Sequence, residues 1–158
     1  MSRILKTALA LVVSLVLLGG CASTPEASPG DDADAKRFES APGAAIIYLY
    51  RADAQSSGIA TIWIDDRLVG QTLPTTYFRV AVRTGHNRIT ASGADVGRLE
   101  IDTREGGVYF VAMQVIGEME GSSTTVFRSV TPEVGKAEIL RCCTLLETWR
   151  PGQRRLLW

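Results

Sequence analysis

The chain has one histidine, His86, and three cysteines in 158 residues, and both scarcities exclude chemistry. A lone histidine cannot build a histidine-rich zinc centre, and neither an H-E-x-x-H motif nor paired C-x-x-C spacing is present. A G-x-S-x-G nucleophile elbow is missing too, so Gly121-Ser122-Ser123 reads as loop chemistry. With no catalytic constellation in view, the expectation is a protein that is not an enzyme and takes no cofactor or metal. Charge of one sign is also scarce: 17 basic residues balance 17 acidic ones, without a long run of either. Nothing draws such a chain to nucleic acid. Nor is there a long hydrophobic run. Residues 8–18 form an apolar stretch of 11 residues, whereas crossing roughly 30 Å of hydrocarbon takes about 20 helical residues.

The surroundings of that short run are informative. Arg3 and Lys6 precede it, and Leu18-Gly19-Gly20-Cys21 closes it. A basic start, a short apolar segment and small residues at a cut make residues 1–20 an export signal rather than a membrane span. The tetrapeptide resembles the lipobox of bacterial lipoproteins, which implies cleavage before Cys21 and diacylglycerol and palmitate-type acyl chains on that residue. One chain binds a bilayer marginally, but each buried methylene adds about 0.8 kcal/mol, so two or three hold firmly. Ala22 stands where the lipoprotein pattern places Asp for inner-membrane retention, which implies the outer membrane, facing the periplasm. Losing residues 1–20 removes Arg3 and Lys6, leaving 15 basic against 17 acidic residues, about −2.

Residues 22–43 are rich in Ala, Ser, Pro, Gly and Asp, with Phe38 the only large apolar residue. Such a segment buries too little to fold alone, so residues 21–43 read as a lipidated N-terminus and flexible tether, with a span of roughly 25 Å, and only around Phe38 is an ordered extension packed on the domain the alternative. Residues 44–147 suffice for one domain. Ile46 to Tyr50 suits a central strand covered on both faces. Ile62 and Ile64 alternate with Thr61 and Trp63 before a tight Asp65-Asp66 turn. Phe78, Val80 and Val82 alternate with Tyr77, Arg79 and Arg83, and Thr84-Gly85 turns into a return strand through Asn87, Ile89 and Ala91. Leu99 and Ile101 mark a one-sided strand, residues 108–116 a strand inside a sheet, and residues 124–130 another. Thr131-Pro132-Glu133 reads as an N-cap, a first-turn proline and a dipole-complementing acid. Residues 136–146 continue that helix or form a final strand. The expected fold is all-β: an antiparallel β-sandwich or open barrel of seven or eight short strands with one short C-terminal helix.

Residues 62–74, followed by Thr84-Gly85-His86-Asn87-Arg88-Ile89, resemble a PEGA-type β-sandwich element: strand, turn, Val-Gly, Thr-Pro, strand, Gly-x-His, strand. With the lipobox, residues 44–143 resemble a bacterial lipoprotein family known only as domain of unknown function 2846. The resemblance implies a fold and an envelope location, and no activity. Asp66 replaces the usual turn Gly, which requires an Asp at positive φ or a different turn. Asn87 replaces the usual His, so no role of that histidine carries over.

Four sets of residues remain as candidates. His86 is a turn-flanking surface histidine, or else a general base or ligand. Cys142-Cys143 are buried thiols, a vicinal or intermolecular disulfide, or a redox pair; adjacent Cα atoms about 3.8 Å apart fall below the usual disulfide range. Trp63, Tyr77, Arg79 and Arg83 share outward parity, and either form a binding face for a sugar or partner or are covered by the tail or helix. The basic, aromatic tail of residues 148–158, with Trp149 and Trp158, could dock on anionic headgroups or on a partner. The partners this implies are the membrane, through the lipid on Cys21, and an envelope protein or cell-envelope polysaccharide.

Overall fold

Ile46 to Tyr50 form the middle of β1 (Ala45–Arg51), in which every residue is buried. A strand with no exposed face must lie inside a sheet with material on both sides. The computed structural model, which describes residues 24–54, 56–92, 97–117 and 123–149, supplies that material. The other strands are β2 (Thr61–Ile64), β3 (Arg67–Gln71), β4 (Thr76–Val82), β5 (Gly85–Ala91), β6 (Gly97–Thr103), β7 (Val108–Ile116), β8 (Thr124–Val130) and β9 (Thr144–Leu145); α1 is Pro29–Ala35 and α2 is Pro132–Cys142. They form two sheets, ordered β8-β7-β1-β4-β9 and β3-β2-β5-β6. The fold is an all-β sandwich with a short C-terminal helix, as the alternation predicts.

Strand parity divides the core. Ala45, Ile47 and Leu49 point between the sheets, among Ile62, Ile64, Phe78, Ile89 and Val111. Ile46, Tyr48 and Tyr50 point to the opposite face of the larger sheet, where α1 and α2 cover them with Phe38 and Ile139. Two ladders are parallel, β1 with β7 and β4 with β9. A parallel pair needs a long crossover, and the chain between β1 and β7 provides one by running through the second sheet. The ninth strand, β9, and the preceding α2 resolve the helix-or-strand choice for residues 136–146: both are formed in succession.

Local chemistry accounts for the joins. Asp65 and Asp66 both adopt positive φ, 49° and 62°, the pair required by a two-residue type I′ hairpin. At Gly135 a Cβ would lie 2.5 Å from the Phe110 ring, so α2 packs against β7 as closely as it does only because that carbon is missing. On one side the sandwich is shut where β6 meets β8, with Gly97 against the Thr125 carbonyl.

The expected flexible tether is overturned from Thr24 onward. Ser28 caps α1 by accepting from the Asp31 N–H, Pro29 occupies the first turn, and Asp31 and Asp32 complement the helix dipole. The segment attaches mainly through polar groups, which a count of apolar residues misses. Tyr48 donates to the Ala35 carbonyl at 2.6 Å, and Asp32 Oδ1 accepts from the Tyr77 hydroxyl at 3.0 Å and the Leu145 N–H at 2.9 Å. Phe38, at φ 55°, lies edge-on to Tyr48 and Phe110, with centroids 5.2 and 5.6 Å away. Cys21 and the export signal lie outside the described residues. Among the described residues no helix is long and apolar enough to cross a membrane.

Candidate functional site

The side of the sandwich opposite the β6–β8 join is closed by the chain's last described residues. Thr144 and Leu146 donate to the Thr75 and Tyr77 carbonyls of the larger sheet, at 3.1 and 2.8 Å. The intervening residues face the other way. The Leu145 carbonyl accepts from Ala27, Glu147 donates to Pro25, and Trp149 donates to the Val69 carbonyl of β3 at 2.8 Å. Thr24 completes the join through its hydroxyl, which accepts from the Gln71 N–H at 2.8 Å. Residues 144–149 therefore fasten β4 to the N-terminal segment and to β3, the edge of the smaller sheet.

Past Trp149, the last described residue, the described residues leave part of the seam uncovered. Because Tyr77 presents its carbonyl to Leu146, it faces away from β1, and alternation along an antiparallel ladder turns the N–H and C=O of Arg79 and Ala81 the same way. Among the described residues no backbone bond reaches either group on that side. The result is a groove of about 390 Å³ between β3 and β4, with Leu68, Val80, Val82 and Trp149 as its apolar wall. Arg67, Arg79 and Arg83 line it against a single carboxylate, Asp65. None of the three arginines forms an ion pair among the described residues. Arg79 instead donates to neutral oxygens, the Tyr48 hydroxyl at 3.1 Å and the Glu39 carbonyl at 3.2 Å.

On the α1 side of the same seam is a wider hollow of about 800 Å³, in which Asp31, Asp34, Glu39 and Glu147 outnumber Arg37 and Arg79. Arg37 is already paired there with Asp34 and Glu39. Between hollow and core, burial pushes the Tyr77 phenol far above its ordinary pKa, and the adjacent Asp32 carboxylate raises it further. Burial opposes ionisation of Asp32, but Lys36, the Leu145 N–H and the Tyr77 hydroxyl together hold its carboxyl below the usual range. These groups anchor α1 as a hydrogen-bonded unit.

Of the expected aromatic and arginine face, Arg79, Arg83 and Trp149 meet at the groove. Trp63 does not join them: it lies in the smaller sheet, opposite Leu68 and Thr90. Tyr77, 1% exposed, belongs to the core under α1 and is corrected from a surface to an interior residue. Arg67 and Leu68 were missed because the edges of two different sheets bring them to the groove, a proximity with no local sequence signal. Trp158 lies outside the described residues.

His86 is exposed, with Nδ1 3.1 Å from Asp102 Oδ1 and Nε2 3.5 Å from Glu100 Oε2. The hydrogen bond to Asp102, with the charges of both acids, raises its pKa. No group of three or more metal-binding side chains is found among the described residues. Cys142 and Cys143 are joined as a vicinal disulfide at the end of α2, one of the alternatives that the sequence leaves open. Cys143 is buried beside the Arg51 carbonyl, with Sγ 3.8 Å away.

No family model and no solved structure matches the chain. It is similar to an uncharacterized protein of Haemophilus influenzae, with 30% identity over 128 residues that span 78% of this chain and 75% of the relative.

Proposed function

The chain belongs to the family of that Haemophilus influenzae protein, and we propose that it acts as a lipid-anchored, non-enzymatic binding or structural module on the periplasmic side of the outer membrane. The seam groove carries this reading. An open strand edge, an apolar wall and three arginines with no ion pair among the described residues are groups that hold a ligand in place. The lipobox at Cys21 and the PEGA-like pattern of the domain of unknown function 2846 supply the location.

Three measurements on full-length protein produced in cells test it together. Palmitate labelling and membrane fractionation should both be lost in Cys21→Ala; a variant that stays membrane-bound would overturn the anchor. A photocrosslinker at position 83 should trap a discrete species that the same group at position 100, on the far edge, does not. Equal trapping at both positions would remove the groove as the site.

A second reading, thiol exchange, has one specific observation in its favour, the Cys142–Cys143 bond. An incoming dithiol would be oxidised to its disulfide while Cys142 and Cys143 took up its two electrons and two protons. Cys143→Ala should then abolish exchange with the fold intact, and normal exchange in that variant would eliminate the reading.

A further inference from the structure

The groove begins where the strand pairing of the described residues stops. Thr144 and Leu146 add to the outer edge of β4 and Trp149 bonds to β3, and among the described residues no backbone bond reaches the outward N–H and C=O groups of Arg79 and Ala81. Exposed edges of this kind accept another strand, with main-chain bonds giving affinity and alternate side chains giving specificity. Which side chains fit follows from the parity of β4. Arg79 and Arg83 share one face of the strand, while Val80 and Val82 share the other, turned toward the apolar mouth of the sandwich. A strand added here would alternate in the same way, since successive residues point to opposite faces.

Charge selects the sign. Three guanidiniums against Asp65 leave the groove cationic. The chain's own continuation is a poor occupant, because Arg150, Arg154 and Arg155 would add three more cations and Pro151 would interrupt pairing. We infer that the groove receives an extended segment of a partner protein in which acidic and apolar residues alternate, added as a strand along Arg79–Val82 with its carboxylates on Arg67, Arg79 and Arg83. This rests on the groove being the binding site, and it names the partner's chemistry. Anionic lipid headgroups could meet the same arginines but have no use for the strand edge, which is how the two are told apart.

The test uses full-length protein in detergent and a fluorescent seven-residue peptide alternating Val and Glu, with a Val and Gln peptide of the same length as control. The acidic peptide should bind at least about tenfold more tightly than the control, and Arg83→Glu or Arg67→Glu, both exposed, should each weaken it by about tenfold. Ala81→Pro removes an N–H that faces the groove and not β1, so it should abolish binding while circular dichroism is unchanged. If that variant loses its fold, an acidic peptide N-methylated at alternate residues replaces it and should fail to bind. Equal binding of the two peptides overturns the inference. So does undiminished binding in Ala81→Pro or of the methylated peptide. Capture of phosphatidylglycerol vesicles that Arg83→Glu abolishes, without peptide binding, would transfer the groove to lipid and leave the seam a binding site.

Discussion

Arg51 shows how one residue can fix a loop. It is fully buried at the end of β1, where Nη1 donates to the Gly58 carbonyl at 2.6 Å, Nη2 donates to the Ser56 carbonyl, and Nε lies 3.4 Å from Asp53. The planar, multi-donor fork suits that arrangement, and a lysine cannot reproduce it. Arg51→Ala leaves Asp53 and two carbonyls without their donor and should cost about 3–5 kcal/mol, read as a lower denaturant midpoint; Arg51→Lys should recover little. His86 gives a finer test. Its pKa is raised by Asp102 and Glu100, so its stabilising contribution is complete below the unfolded histidine pKa and is lost as pH rises through the higher folded value. His86→Gln should flatten the pH dependence of stability in that window, and an NMR titration should find the folded pKa above 6.5.

At the scale of elements, α1 is held by polar groups more than by apolar area. Asp32 joins Lys36 of the same segment, Tyr77 of β4 and Leu145 of β9. Asp32→Ala strips three donors of a charged acceptor and should cost about 2–3 kcal/mol. Hydrogen exchange at the Leu145 amide and through α1 should quicken while β1 and β7 stay protected. Because its carboxyl pKa is lowered, Asp32 contributes stability above the unfolded carboxylate pKa and loses it as pH falls through the folded value. Acid should therefore release α1 before it melts the sandwich. The contact of α2 is steric instead: Gly135→Val should cost about 1–3 kcal/mol by driving a side chain into the Phe110 ring, measured as a lower Tm.

For the whole molecule, order from Thr24 changes the distance to the membrane. With the lipid on Cys21 as proposed, only Ala22 and Ser23 separate the anchor from a residue bonded to β3, a reach of about 10 Å in place of the expected 25 Å. Trp149, on the same strand edge, should be quenched by nitroxide-labelled lipids once the acylated protein is in liposomes; absence of quenching would restore the long tether. The sandwich, its central strand, the Asp65-Asp66 turn and the start of α2 were legible in the sequence, because side-chain alternation and turn preference act between near neighbours. The vicinal disulfide was legible only as one alternative among several. Order in residues 24–43 was legible only as an alternative around Phe38, since Gln71, Tyr77 and Leu145, which hold Thr24 and Asp32, are 45 or more residues away along the chain. Of the groove, the sequence by itself determined the arginines and tryptophans as candidates. Only the tertiary structure decided which of them meet, because the seam joins edges of two sheets and its neighbours are set by how the chain crosses between them.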